Sequence, residues 1–137
     1  WIRPAKATGV IAAHGGESTG YSFGLQEGTI VLSIRNGGVL TTAIGPSVQN
    51  DIWSNVVAIL NRQGTVDFIV NGVTTETETK VDFLRGAPAD GFNLGQDNGS
   101  FVGKYTATNG FQGQLADFRL WWGIPEKEVL QAWAKTK

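Results

Sequence analysis

The chain has 137 residues, 11 basic against 12 acidic side chains, a formal net charge of −1, and 41% hydrophobic and 10% aromatic residues, enough for one domain with a core of its own. That balance supplies no phosphate-tracking field, and no apolar run approaches the ~20 residues of a membrane span, so nucleic acid and a membrane are not expected partners. The absence of cysteine removes disulfides, thiolate metal sites and cysteine nucleophiles, and with one histidine any imidazole chemistry rests on His14. Glycine at 19 positions with only 17% charged residues makes a turn-rich chain with a Thr, Ser, Asn and Gln surface, as secreted β proteins have. Trp1 is no natural translation start, so the chain reads as a domain cut or processed from something longer.

Apolar residues alternate with polar or small ones in short runs, broken by Gly and Asn about every ten residues, which predicts strands. A first strand over 10–13 stops at His14-Gly15-Gly16. Tyr21, Phe23 and Leu25 then share a face up to Glu27-Gly28, and Ile30, Leu32 and Ile34 share the next. Asn36-Gly37-Gly38 accepts positive φ and marks a tight reversal into 39–44, which Gly45-Pro46 ends. The apolar run 53–60 predicts a strand covered on both sides, turned at Gln63-Gly64 into 65–70. Asn71-Gly72 between two β-rich runs predicts a type I′ hairpin with 73–83 as its return. After a loop over 85–90 come a short strand over 92–95 and a long irregular loop over 99–110.

The last predicted strand is 115–122, with Ala116, Phe118, Leu120 and Trp122 on one face and Leu115, Asp117, Arg119 and Trp121 on the other. Pro125 suits a first helical position. Glu126 and Glu128 lie in the first turn, Val129, Leu130 and Trp133 form a stripe, and Lys135 and Lys137 complement the dipole at the end, so a short terminal helix is expected. About nine short strands and one helix, without the long crossovers of parallel strands, indicate an all-β fold: an antiparallel two-sheet sandwich with one short C-terminal helix. Trp1, Trp53, Phe23 and Phe68 belong to its core by their flanking alternation.

Four segments carry a resemblance, in this order: Trp1-Ile2-Arg3-Pro4 with Gly9-Val10-Ile11; Gly20-Tyr21-Ser22-Phe23-Gly24-Leu25; Trp53 to Ala58 leading into Gly64-Thr65-Val66-Asp67-Phe68-Ile69-Val70-Asn71-Gly72; and Phe111-Gln112-Gly113-Gln114-Leu115-Ala116-Asp117-Phe118-Arg119-Leu120-Trp121. Together they resemble the laminin-G-like jelly roll of the concanavalin A-like lectin/glucanase superfamily, over nearly the whole chain. The resemblance implies a jelly-roll sandwich of two antiparallel sheets over 1–137, lacking a strand that normally precedes the Trp-x-Arg-Pro segment. It also implies a secreted module appended to polysaccharide-active enzymes or adhesion proteins, more often a binder than a catalyst. Where the family's last strand has Asp, this chain has Ala116, and Asp117 takes the following Glu position.

Glycosidases of that superfamily place carboxylates on one strand about 5 Å apart. The nearest text here is Glu76-Thr77-Glu78, which lacks a third acid and suits a solvated edge that resists aggregation, so no catalytic residues are expected. Sugars need aromatic faces for their C–H surfaces beside planar polar groups for their hydroxyls. Trp121 beside Asp117 and Arg119 meets that description, unless it packs under the helix against Trp133. A rim of loops offers Tyr105, Asn98 and His14 as further ligand contacts, although His14 reads more readily as an ordinary turn residue. Asp97, Asn98 and Asp117, with Ser100, are the hard oxygens a structural calcium would draw on, while Asp97-Asn98-Gly99 also suits a plain turn. The expectation is a non-catalytic carbohydrate-binding module of a larger secreted or periplasmic polysaccharide-active protein, with a glycan as partner and calcium as its one candidate ion. The alternative is a structural or adhesion module that binds protein or its own parent catalytic domain.

Overall fold

The computed structural model describes residues 1–135; Lys137, expected at the end of the helix, lies outside them. Ten strands and one helix follow in chain order: β1 Ile2–Pro4, β2 Gly9–Gly15, β3 Gly20–Gln26, β4 Thr29–Asn36, β5 Val39–Ser47, β6 Val56–Leu60, β7 Thr65–Val70, β8 Val73–Lys80, β9 Phe92–Leu94, β10 Gly113–Leu115 and α1 Lys127–Trp133. They form a five-stranded sheet in the order β5-β4-β3-β2-β9, a three-stranded sheet β6-β7-β8, and a two-stranded pair β1-β10. Every ladder is antiparallel. The fold is the expected antiparallel jelly-roll sandwich.

Turn chemistry set the hairpins. Glu27-Gly28, Gly37-Gly38 and Asn71-Gly72 each hold both central residues at positive φ, between 50° and 82°, the type I′ geometry that matches the twist of the strands they join. Between the two larger sheets lies the main core, where Ile11, Leu25, Ile30, Ile34 and Ala43 of the first sheet meet Val66 and Phe68 of the second. Gly45 lets Phe68 in: a Cβ there would stand 2.5 Å from the Phe68 ring. Phe68 is fully buried, whereas Trp1, Trp53 and Phe23 are half-buried at the margins of this core.

A second cluster covers the outer face of the five-stranded sheet. A bulge in β2 between Val10 and Ala12 lets Val10 and Ala13, three residues apart, share the outer face while Ile11 points inward, and Val10, Ala13 and Val31 pack there against Tyr105 and Phe101. The loop over 99–105 therefore acts as a lid on that face. It is laid down over Gly24, and the missing side chains there and at the loop's own Gly103 leave room for the Tyr105 ring.

Three expectations are corrected. The predicted strand 115–122 ends at Leu115: after the backbone bonds between Trp1 and Ala116, Asp117 turns to φ 52° and leaves the extended region. The run 53–60 becomes a strand only from Val56, with Ser54 bridging to Ile2, and β6 is half-buried throughout rather than covered on both sides. The helix begins at Lys127 with Glu126 at its N-cap, two residues after Pro125, and Lys135 falls beyond the C-cap at Ala134, so the last turn carries no base. Leu130 is the buried member of its stripe.

Candidate functional site

The site begins where β10 stops. Alternation in a strand requires every residue to keep extended φ and ψ, and Asp117 in the left-handed region breaks it, which an aspartate tolerates better than most residues. The segment 116–122 consequently runs free of any sheet and leaves apolar side chains in solvent. Trp122 is 96% exposed, and Trp121, assigned by alternation to the opposite face, is 54% exposed.

Trp121 stacks on Trp133 of α1, with ring centroids 5.3 Å apart and planes 21° from parallel. The Arg119 guanidinium carbon lies 4.1 Å from the centre of the same Trp133 ring, a cation–π contact worth about 0.5–1 kcal/mol at an exposed site. Arg119 also binds Asp117 with two parallel bonds, Nε to Oδ1 at 2.9 Å and Nη2 to Oδ2 at 2.8 Å, a fork that fixes both groups. Trp1 and Ala116 exchange backbone hydrogen bonds at 2.9 and 3.0 Å, which anchors the start of this segment. Both readings of Trp121 thus hold in part: one face packs against the helix, and more than half of the side chain stays open.

An aromatic file joins this cluster to the inner face of the five-stranded sheet. His14 lies inside β2, not in the turn after it, and meets Tyr21 edge-on at 5.6 Å and Phe92 at 6.0 Å; Phe92 in turn meets Phe118 at 5.7 Å. Burial raises the Tyr21 pKa. Behind the file an apolar cleft of about 760 Å³ opens between the sheets. Tyr21, Phe23, Leu32 and Ile34 wall it on one side, β6 on another, and residues 115–125 lie along its mouth.

Tyr105 and Asn98 do not join that site. Tyr105 is only 6% exposed, a core residue of the outer face, and offers no ring to a sugar; the expectation that it stacks from a surface loop is overturned. Asn98 donates to Asn93 Oδ1 at 3.1 Å, and Asn93 alternates away from Phe92 along β9.

The three oxygens expected to share a calcium are also kept apart. Asp97 is 8% exposed beneath the loop, its Oδ2 accepting the Val102 amide at 2.9 Å, while Asp117 is spent on Arg119 at the other site. Burial raises the Asp97 pKa, the Val102 hydrogen bond opposes that, and the Asp90 charge adds to it. Oδ1 of Asp97 and the hydroxyls of Tyr105 and Ser22 are buried without a protein partner. Burial first and the Asp97 charge second push the Tyr105 phenol well above its usual range. No group of three or more His, Cys, Asp or Glu side chains gathers among the described residues, so Asp97, Asn98 and Asp117 do not compose the many-oxygen shell calcium takes.

Residues 1–125 match the family model of the concanavalin A-like lectin/glucanases superfamily. The chain belongs to that superfamily. No curated protein matches it. The superfamily match stops at Pro125, so α1 and its Trp133, which complete the Trp121 cluster, lie beyond it. The superfamily name spans lectins and glucanases, and the carboxylates that would serve a glucanase, Glu76 and Glu78, sit exposed on β8, outside the cleft. No helix among the described residues is long and apolar enough to cross a membrane.

Sequence reasoning passed over two residues of this site, Trp122 and Phe92, while it had weighed Trp133 as the residue on which Trp121 would pack. The available signal was Trp121-Trp122 followed by Gly123, since adjacent tryptophans cannot both face one core in an extended chain.

Proposed function

We propose that the domain is a non-catalytic carbohydrate-binding module of a secreted polysaccharide-active protein, and that it holds its glycan on Trp121 and Trp122 with Arg119 and Asp117 beside them. The observation that carries the reading is the half-open Trp121, rigidly backed by Trp133 and flanked by a guanidinium–carboxylate fork. A ring held from behind offers its open surface to sugar C–H groups at little entropic cost. Unused lone pairs and N–H groups of the fork exchange hydrogen bonds with hydroxyls as these leave water. Superfamily membership supports the same reading. His14 meets Phe92 edge-on, and Phe92 meets Phe118 next to Arg119 in the chain.

A glycan array on the domain tests this, with Trp121→Ala and Trp122→Ala alongside and each arm repeated with calcium and with chelator. The proposal expects binding that both variants weaken by about tenfold or more and that the chelator leaves alone. Binding untouched by both variants, or no binding to any glycan, defeats it.

The apolar cleft favours a second reading, a module that docks on protein, because contiguous apolar walls rimmed by polar side chains are what a protein partner covers.

A further inference from the structure

In an Asn-Gly pair the glycine nitrogen can attack the asparagine side chain, because no Cβ shields it and the backbone turns freely. The sequence has four such pairs, beginning at Asn36, Asn71, Asn98 and Asn109. Three of them are anchored through the side-chain oxygen. Asn36 Oδ1 accepts the Arg85 amide at 2.9 Å while its Nδ2 donates to the Phe83 carbonyl at 2.7 Å. Asn71 Oδ1 accepts the Asn55 amide at 2.8 Å, and the Asn71 amide donates to the Asn55 carbonyl at 2.9 Å. Asn109 Oδ1 accepts the Thr106 amide at 2.8 Å and the Thr106 hydroxyl at 3.2 Å. Ring closure swings Cγ round to the following nitrogen, so each of these side chains must first give up a hydrogen bond to another part of the chain.

Asn98 stands apart from the other three. It is exposed, and its hydrogen bond runs from Nδ2 to Asn93 Oδ1 at 3.1 Å, while among the described residues nothing donates to its own Oδ1. Gly99 follows at φ 83°, and its N–H is bonded to no acceptor among the described residues. Electrophile and nucleophile are therefore both free at this one pair.

We propose that Asn98 is a site of spontaneous covalent modification, converting to aspartate and isoaspartate in the folded domain while Asn36, Asn71 and Asn109 persist. The Gly99 nitrogen gives its proton to water and bonds to Cγ of Asn98. The Cγ–Nδ2 bond then breaks, Nδ2 takes up a proton and leaves as ammonia, and a succinimide remains. Water opens this ring: attack at Cγ gives aspartate, and attack at the Asn98 main-chain carbonyl gives isoaspartate, so water is consumed and ammonia released in equal amounts. Either product sets a new carboxylate beside the buried Asp97, on a turn where the Asp90 carboxylate already lies against Gly99 and Ser100. Isoaspartate also lengthens the main chain by a methylene between Asp97 and the lid whose Val102 amide it holds. The conversion thus loosens the closed outer face, and it is independent of the glycan platform.

The test ages the domain in mildly alkaline buffer, folded and in urea, and follows the four Asn-Gly peptides by mass spectrometry, with isoaspartate scored by enzymatic methylation. For each site the rate in the folded protein is divided by the rate in urea, which removes the influence of sequence neighbours. The ratio for Asn98 is expected to exceed each of the other three by about fivefold or more, the factor that one anchoring hydrogen bond contributes to a barrier. A ratio at Asn36, Asn71 or Asn109 that equals or passes that of Asn98 overturns the proposal, as does an Asn98 that stays intact in the folded domain. Hydrogen exchange over 100–105 is expected to be faster in the isoaspartate fraction than in fresh protein, and to stay slow in Asn98→Gln aged alongside. Unchanged exchange in the isoaspartate fraction, or equal loosening in aged Asn98→Gln, overturns the effect on the lid.

Discussion

The two faces of the five-stranded sheet are finished to different degrees. On the outer face the loop over 99–105 closes over Val10, Ala13 and Val31, and Val102 and Tyr105 are buried beneath its surface. On the inner face, past β1, the apolar walls of β6 and 116–125 stand open around a cleft. The closed face hides polar atoms that lack partners, while the open side exposes tryptophans that lack cover. Stability is concentrated where packing is complete, and the proposed glycan platform lies where it is not. A folded domain retains exposed aromatics only where their cost is small against a core such as the one around Phe68.

That contrast can be broken at graded points. Phe68→Ala removes the largest fully buried side chain and is expected to cost about 3–5 kcal/mol in urea denaturation, since the pocket shaped by Gly45 cannot collapse around it. Tyr105→Ala on the closed face should cost about 3 kcal/mol by the same measurement, less than Phe68→Ala because the lost hydroxyl had no protein partner. A cost near zero would mean that the loop is no lid.

Asp97→Asn should act in the other direction. The Asp97 pKa is raised by burial, so the folded state binds this proton more tightly than the unfolded one does. Its penalty is absent below the ordinary aspartate range, grows as pH rises through it, and is complete above the raised value. The amide keeps an acceptor for the Val102 N–H, so the variant should be more stable than the parent near pH 7 and show no difference near pH 3. The difference between the two proteins across pH checks the sign, and a variant weaker at pH 7 would restore a role for a bound cation at Asp97. Least affected of all should be Leu120→Ala on the open side, within about 0.5 kcal/mol of the parent protein.

How much of this the sequence announced depended on whether the signal was local. The hairpins at Gly37-Gly38 and Asn71-Gly72 were legible because positive φ is a property of the turn residues themselves. Alternation also sorted β3 and β4 correctly, since each is paired along its whole length. It failed at 116–122 because alternation needs extended backbone at every residue, and Asp117, at φ 52°, turns the chain and leaves Trp122 in solvent. Tyr105 was placed on the surface because a Gly- and Thr-rich stretch reads as loop. Its burial is written elsewhere, in Gly24 and Gly103, and a glycine inside a strand such as β3 is the mark of something approaching closely. The calcium set failed for a related reason: proximity of Asp97 and Asn98 in sequence says nothing about where Asp117 lies.

Hydrogen exchange, read by mass spectrometry with and without the tightest glycan from the array, tests the division of labour most directly. The account predicts that in the free protein the amides of 117–124, which are in no ladder, exchange far faster than Val102, whose amide is held by Asp97. It further predicts that the glycan slows exchange over 117–124 and leaves 97–105 unchanged. Protection that falls on 97–105 and spares 117–124 would contradict it, and would place the binding surface on the face the structure shows as closed.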